Sequence, residues 1–134
     1  MDRVRERLIV ARQALGTLRE LELDGSPPRM ERDAAIQRFE YTLEAVWKAA
    51  QAFLREHEGL EVASPKAAVR ASHQTGRLSE EDARLGLAMI DDRNRTAHMY
   101  REALAAEVFG RLAAYAAVMD RWLGAMEKLV AHEG

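Results

Sequence analysis

The sequence contains no cysteine, few prolines and few aromatic residues, and each shortage excludes a class of protein. Without cysteine among its 134 residues, the chain has neither a disulfide framework nor a thiolate zinc site. Only three prolines and a hydrophobic content of 48% argue against a disordered chain. No apolar run approaches the roughly 20 residues that span a bilayer, and the N-terminus shows no long apolar stretch. We therefore expect a cytoplasmic protein with no signal peptide and no membrane partner.

The length and the charge balance set further bounds. A chain of 134 residues fits one domain, covering positions 1–134. Charged residues make up 31% of the sequence, yet the formal net charge is only −2. This balance argues against a globally basic nucleic-acid binder but leaves room for a local basic groove. The abundance of alanine, leucine, glutamate and arginine is typical of an all-helical protein.

Apolar residues recur at helical spacing along five segments. These segments are residues 3–21, residues 30–57, residues 64–76, a fourth that starts at Ser79, and residues 102–130. Helix breakers, serine caps and glycines separate them. Trp47 and Trp122 fall on apolar stripes and are predicted core residues. The sequence predicts an all-α fold, an up-and-down antiparallel bundle of four to five helices.

A dense polar segment, residues 91–100, follows the apolar part of the fourth helix. Extending the apolar row of that helix places Arg93 on the core-facing stripe, where a buried charge needs a partner. If the helix continues, Asn94 and His98 share a face, and Arg93 aligns with Tyr100 two turns away. Arg93 and His98 lie roughly 140° apart around the axis, so they flank a cleft rather than touch. This geometry suits a site completed by a second helix or a second subunit.

Each of these residues has both a functional and a structural interpretation. The imidazole of His98 titrates near neutral pH and can exchange protons, or it is a surface histidine near a helix end. The planar donor fork of Arg93 suits a phosphate, or it pairs with a neighbouring aspartate or a glutamate of helix two. We expect Asn94 to orient His98 by hydrogen bonding. The structural interpretation of Tyr100 is an amphipathic residue at the core edge.

A second set of arginines, Arg5, Arg12 and Arg19, recurs every seven residues along helix one. Such a stripe is either a solvated face or a guide for an RNA backbone, and Arg95 is a further weak candidate for RNA contact. His73 and His132 have no metal-ligand company at useful spacing and are predicted surface residues, and the chain lacks both a glycine-rich phosphate loop and paired metal-binding aspartates. We therefore expect no metal and no cofactor, and the chain is not itself a nucleotidyltransferase.

The spacing Arg93-x4-His98-x-Tyr100 resembles the R-x4-6-H(-x-Y) signature of the HEPN superfamily of small helical proteins. Upstream, Arg38-Phe39-Glu40, Trp47-Lys48 and Ser64-Pro65 resemble the branch called nucleotidyltransferase substrate-binding proteins. Members of that branch pair with minimal nucleotidyltransferases, often as toxin–antitoxin systems. The resemblance covers about residues 30 to 115. Gly86 departs from it, since a bulky aromatic residue is expected there in close relatives.

The resemblance implies a toxin that is a metal-independent endoribonuclease, acting as a homodimer with one composite cleft. Arg93, Asn94 and His98 would be its catalytic residues. His98 would act as general acid or base while an RNA 2′-hydroxyl attacks the adjacent phosphate, and Arg93 would stabilise the developing charge. The cognate minimal nucleotidyltransferase antitoxin would attach AMP to Tyr100 and so silence the toxin.

Two other functions remain open at this point. In the first, the chain is a non-catalytic substrate-binding subunit of a two-component nucleotidyltransferase, and its polar cleft holds a substrate or docks the transferase. In the second, the chain is a structural bundle in which Arg93 and His98 serve only as packing residues.

Overall fold

A computed structural model describes residues 2–133, which form six α-helices and one short 3₁₀ turn. The helices are α1 Asp2–Arg19, α2 Arg29–Glu58, α3 Pro65–Gln74, α4 Glu80–Asn94, α5 Glu102–Phe109 and α6 Leu112–Glu133. The 3₁₀ turn is Thr96–His98, between α4 and α5. Residues 2–133 contain no β-strand. The predicted all-α class is confirmed.

The first two helices form an antiparallel hairpin that carries much of the core. Arg38 on α2 donates a hydrogen bond of 2.7 Å to the backbone oxygen of Thr17, and Thr42 donates one of 3.1 Å to the oxygen of Ala14. α6 packs antiparallel to α1 and also contacts α2 and α4, while α3 and α4 pack on each other. α5 lies against α2, which also packs on α1, α3 and α6.

The apolar stripes predicted from the sequence form the core. α1 buries every member of its stripe, namely Val4, Leu8, Ala11, Leu15 and Leu18. Trp122 is fully buried and donates a hydrogen bond of 3.0 Å to the Ser72 hydroxyl, while Trp47 is 8% exposed. The two tryptophans are core residues, as predicted.

Helix starts follow the predicted caps. The Ser64 hydroxyl accepts a hydrogen bond from the backbone N–H of Ala67, and Pro65 occupies the first helical position of α3. The Ser79 hydroxyl accepts the N–H of Asp82 at the start of α4. Among the described helices, none combines the length and the apolar character needed to cross a bilayer.

The prediction of one helix over residues 102–130 is wrong, because the chain breaks between α5 and α6. Gly110 and Arg111 form the break, where the N–H of Arg111 bonds three residues back to Val108 at 3.0 Å. Gly110 keeps right-handed helical backbone angles, φ −61° and ψ −16°, so at the break the chain tightens from four-residue to three-residue hydrogen bonding. The break also lets Arg111 turn toward α4, where it pairs with Asp92. The bundle consequently has six helices rather than four to five.

Gly86 marks a close approach between α3 and α4. A Cβ atom at this position would lie 3.2 and 3.3 Å from the two methyl groups of Val69. We expect Gly86→Leu to lower the free energy of unfolding by roughly 1–3 kcal/mol, because overpacking a fitted contact forces neighbours apart. The matched control is Gly124→Leu, since a Cβ there meets no atom within 4 Å. Equal melting temperatures for the two variants would contradict this expectation.

Candidate functional site

The polar segment does not continue α4, and this changes its geometry. α4 ends at Asn94, after which the N–H of His98 bonds to the oxygen of Arg95 at 2.9 Å in a 3₁₀ turn. The Thr96 hydroxyl donates a 2.8 Å bond to the backbone oxygen of Arg93, competing with the helical pattern. The predicted helical alignments of Asn94 with His98 and of Arg93 with Tyr100 therefore do not form.

Arg93 lies at the edge of the core, not within it. Its side chain is 33% exposed, and its Nη2 donates to Oε2 of Glu44 on α2 at 2.7 Å. The same oxygen accepts the indole N–H of Trp47 at 3.1 Å. The partner is thus a glutamate of the second helix, one of the alternatives left open by the sequence. This bond uses one of the five N–H donors of the guanidinium fork.

The buried charge at the end of α4 is Asp92, which is not among the predicted site residues. Asp92 is 3% exposed and accepts two bonds from Arg111, at 2.7 and 3.0 Å. The Tyr115 hydroxyl donates a third bond of 2.6 Å, and Arg95 lies 3.4 Å away. The sequence predicted that the buried row of α4 continues from Met89 to Arg93, four positions on. In the structure the row continues from Met89 to Asp92, three positions on.

The surroundings of Asp92 shift two pKa values in opposite directions. Burial alone would raise the pKa of Asp92, but bonds from Arg111 and Tyr115 hold it below its usual range. Burial, reinforced by the bond to Asp92, raises the pKa of the Tyr115 hydroxyl. Both shifts favour the observed arrangement of a carboxylate bonded by a neutral phenol and a guanidinium. This buried cluster ties the start of the polar segment to α6.

A second anchor holds the far end of the segment. Arg32 on α2 is 9% exposed and donates to Glu102, the first residue of α5, at 2.9 Å. Glu44 and Arg32 both belong to α2, so one helix fixes the chain before and after the 3₁₀ turn. The sequence offered a weak signal for this, because charges on a mostly apolar helix face need partners.

The remaining predicted site residues lie on the surface of this segment. Asn94, Arg95 and His98 are exposed, and Tyr100 is 76% exposed. The rings of His98 and Tyr100 meet edge to face, with centroids 6.3 Å apart. The structure therefore presents an imidazole and a phenol side by side to solvent. Within residues 2–133, no group of three metal-ligating side chains lies together.

The arginine stripe of helix one is engaged by α6. Arg12 pairs with Asp120 at 2.5 Å and with Glu127 at 2.6 Å, and Arg19 lies 3.6 Å from Asp120. Arg12 is therefore a clamp between two helices rather than a free cation on a solvated face. Arg5 is exposed beside that clamp. An RNA backbone reaching Arg12 would have to displace two carboxylates.

An all-helical bundle with an arginine in the last turn of its fourth helix, followed by an exposed histidine and tyrosine, has the features of the HEPN class. A sequence model of the family described as "Nucleotidyltransferase substrate binding protein like" matches residues 6–128. The chain belongs to this family. The resemblance drawn from the segment around Arg93 and His98 is confirmed.

Two solved structures resemble the fold. A protein from Thermus thermophilus is 55% identical, with a TM-score of 0.84, and the match covers 87% of this chain and 98% of that one. A structure described as a toxin–antitoxin with AMP-PNP has a TM-score of 0.69, covering 94% of this chain and 98% of that one. At 11% identity, the second likeness shows a shared fold alone. Among curated proteins, no significant match was found.

Proposed function

We propose that this protein is a metal-independent endoribonuclease of the HEPN type, acting as a toxin that a cognate minimal nucleotidyltransferase neutralises. The observation that carries the proposal is the exposed pair of His98 and Tyr100 rings on a segment fixed at both ends to α2. Membership of the family supports it, as does the shared fold with a structure described as a toxin–antitoxin. Fixed anchors beside an exposed imidazole are what pre-organised catalysis needs.

The proposed reaction uses the side chains of His98 and Arg93. His98 removes the proton from an RNA 2′-hydroxyl, or protonates the leaving oxygen, since an imidazole performs either role near neutral pH. The 2′ oxygen bonds to the adjacent phosphorus while the bond to the 5′ oxygen breaks, leaving a cyclic phosphate and a 5′-hydroxyl. Arg93 stabilises the charge that develops on the phosphate oxygens.

Two copies of the chain build the composite cleft. Arg93 is turned toward α2 by Glu44, whereas His98 projects from the 3₁₀ turn on the exposed side. A second copy, related by two-fold symmetry, supplies the matching imidazole and guanidinium. RNA then crosses between the two segments, with the exposed Arg95 near its backbone.

Tyr100 is the point of control in this proposal. Its hydroxyl belongs to a side chain that is 76% exposed, so a partner enzyme can reach it. Transfer of AMP from ATP would place a phosphodiester and a nucleoside beside His98, and pyrophosphate would leave. The added charge and bulk exclude RNA from the cleft.

The direct test is RNA integrity after incubation with the purified protein in EDTA. We expect cleavage that persists with the chelator and yields 2′,3′-cyclic phosphate ends. Protein modified at Tyr100, verified by intact mass, should leave RNA uncut, and Tyr100→Phe should resist silencing by the partner. Loss of cleavage upon chelation would overturn the proposal.

Glu44 offers a graded test of the same site. We expect Glu44→Gln to slow RNA cleavage about 10-fold, equivalent to about 1.4 kcal/mol, because Arg93 loses the charge that orients it. The melting temperature should change little, since exposed ion pairs contribute at most about 1 kcal/mol. Glu56→Gln on the exposed face of α2 is the control, and an equal loss of rate there would contradict the role of Glu44.

A second function, the non-catalytic substrate-binding subunit, is favoured by one observation and by the family description. Arg93 is already held by a carboxylate, which lowers its availability to a phosphate. This function predicts stable complex formation with a nucleotidyltransferase and intact RNA even at high protein concentration. Unmodified protein that binds the transferase tightly and never cuts RNA would give this function the lead.

A further inference from the structure

A groove with a volume of about 240 Å³ lies between α2 and the segment after α4. Its floor contains Ile36, which is 3% exposed, and the half-buried Met99. The exposed ring of Tyr100 also lines it, and we call it the Tyr100 groove. An apolar floor beside an aromatic ring suits a flat heterocycle better than a bare ion.

The polar atoms of the Tyr100 groove are mainly acceptors. Asp33 and Glu40 supply carboxylates, Gln37 an amide and Thr96 a hydroxyl, and no cationic side chain lines the groove within residues 2–133. Of the two carboxylate oxygens of Asp33, only Oδ1 accepts hydrogen bonds from Arg32, at 3.3 and 3.4 Å, so Oδ2 receives nothing from it. Carboxylates accept hydrogen bonds and repel phosphate, so the groove selects a ligand face that donates.

We infer that the Tyr100 groove is a nucleobase subsite for adenine and cytosine, the bases that carry an amine at C6 or C4 in place of a carbonyl oxygen. The amine of adenine or cytosine donates to a carboxylate, whereas uracil and hypoxanthine present a carbonyl oxygen at that position. The ring stacks on Tyr100, as bases do on exposed aromatic side chains. The catalytic proposal uses α2 only to hold the segment after α4. The subsite gives residues of α2 a role in binding as well.

This inference rests on the proposed function, which supplies two sources of the same chemistry. One source is a base of the RNA strand next to the cleaved phosphate. The other is the adenine of AMP carried on Tyr100, which begins at the mouth of the groove and has a high effective concentration there. Modification would then silence the enzyme by filling the place of an RNA base, in addition to adding charge.

The test is a nucleoside titration followed by the NMR signals of ¹³C-labelled methionine methyl groups. Met99 lies in the groove, whereas Met119 and Met126 are fully buried and report an unchanged fold. We expect adenosine to shift the Met99 signal with a Kd on the order of 1 mM, as suits a small ligand in an open groove. Inosine and uridine should bind at least about 5-fold more weakly. No Met99 shift, or equal shifts with all three nucleosides, would overturn the inference.

Substitutions test whether the carboxylates of Asp33 and Glu40 accept the hydrogen bonds of the base. The double variant Asp33→Asn with Glu40→Gln should lose the preference for adenosine over inosine, while Glu31→Gln, on the same helix but outside the groove, should retain it. Unchanged Met119 and Met126 signals would show that the double variant is folded. A preference that survives in the folded double variant would refute the assignment of the carboxylates.

Two further experiments distinguish an RNA base from the adenine of AMP as the ligand, and the subsite from the nuclease proposal. Protein carrying AMP on Tyr100 should show the Met99 shift of adenosine-saturated protein, and cleavage sites should favour adenine or cytosine beside the cut. Adenosine binding without RNA cleavage would overturn the nuclease proposal and support the subsite for AMP alone. RNA cleavage without any Met99 response would overturn the subsite and leave the nuclease proposal standing.

Discussion

Replacing His98 with alanine should lower RNA cleavage by a factor of about 10² to 10⁴, the range that a positioned acid or base contributes. The bundle should remain intact, because the imidazole is exposed and lies outside the buried core. The measurement is the initial rate of cleavage of a defined RNA in EDTA, with wild type and variant at equal concentration. A thermal melt of both proteins accompanies it.

The matched control is His73→Ala, since His73 is also exposed and lies on α3. That variant should cleave at the rate of wild type. If His98→Ala cleaves as fast as His73→Ala, His98 is not the acid or base. If both variants lose activity together with their melting transitions, the loss is structural and the assignment to catalysis fails.

Replacing Asp92 with alanine should have the largest effect on stability. The change leaves the Tyr115 hydroxyl, 1% exposed, without its acceptor, and separates Arg111 from its main partner. Removing one member of a buried polar cluster costs several kcal/mol, discounted here because Arg111 is 36% exposed and reaches water. We expect a loss of roughly 3 kcal/mol, or a fall of about 10 °C in Tm. Denaturant unfolding monitored by circular dichroism measures it.

The neighbouring residue gives the control for this experiment. Asp91 pairs with Lys66 at 2.7 Å, but both side chains are largely exposed, at 51% and 39%. Asp91→Ala should therefore cost less than about 1 kcal/mol. Losses of equal size at positions 91 and 92 would contradict the buried cluster.

The same cluster predicts how stability depends on pH. Because the pKa of Asp92 lies below its ordinary value of 3.8 in the folded protein, its contribution is complete above that value. The contribution disappears as the pH falls through the lowered pKa of the folded state. The stability difference between wild type and Asp92→Ala should thus be constant from about pH 5 to pH 7 and shrink in stronger acid. A stability difference between wild type and Asp92→Ala that grows as the pH falls would contradict this expectation.

Periodicity and caps predicted most of the fold because they depend on nearby residues. The stripe from Val4 to Leu18 and the serines before α3 and α4 are local signals, and the structure follows them. The break at Gly110 escapes such signals because the apolar seam continues across it. At that break Arg111 pairs with Asp92, a contact over 19 positions that no window of sequence displays.

The candidate site was predictable in composition but not in geometry. The spacing of Arg93, His98 and Tyr100 identified the segment, since it needs only the sequence. Their arrangement depended on where α4 ends, and the Thr96 hydroxyl influences that through a bond to the backbone. The partner Glu44 lies 49 positions away, so only the folded chain distinguishes it from the nearer aspartates.

The two anchors on α2 constrain the length of the chain between Arg93 and Glu102. Arg32 and Glu44 are twelve positions apart, which is about 18 Å along a helix at about 1.5 Å per residue. Arg93 and Glu102 are nine positions apart, and the chain between them, of which Thr96–His98 is a 3₁₀ turn, connects these two anchor points. An inserted residue would have to bulge outward between fixed ends, carrying the imidazole away from its neighbours while the bundle stays folded. The spacing of the two anchors along α2 therefore sets the length that this connection can have.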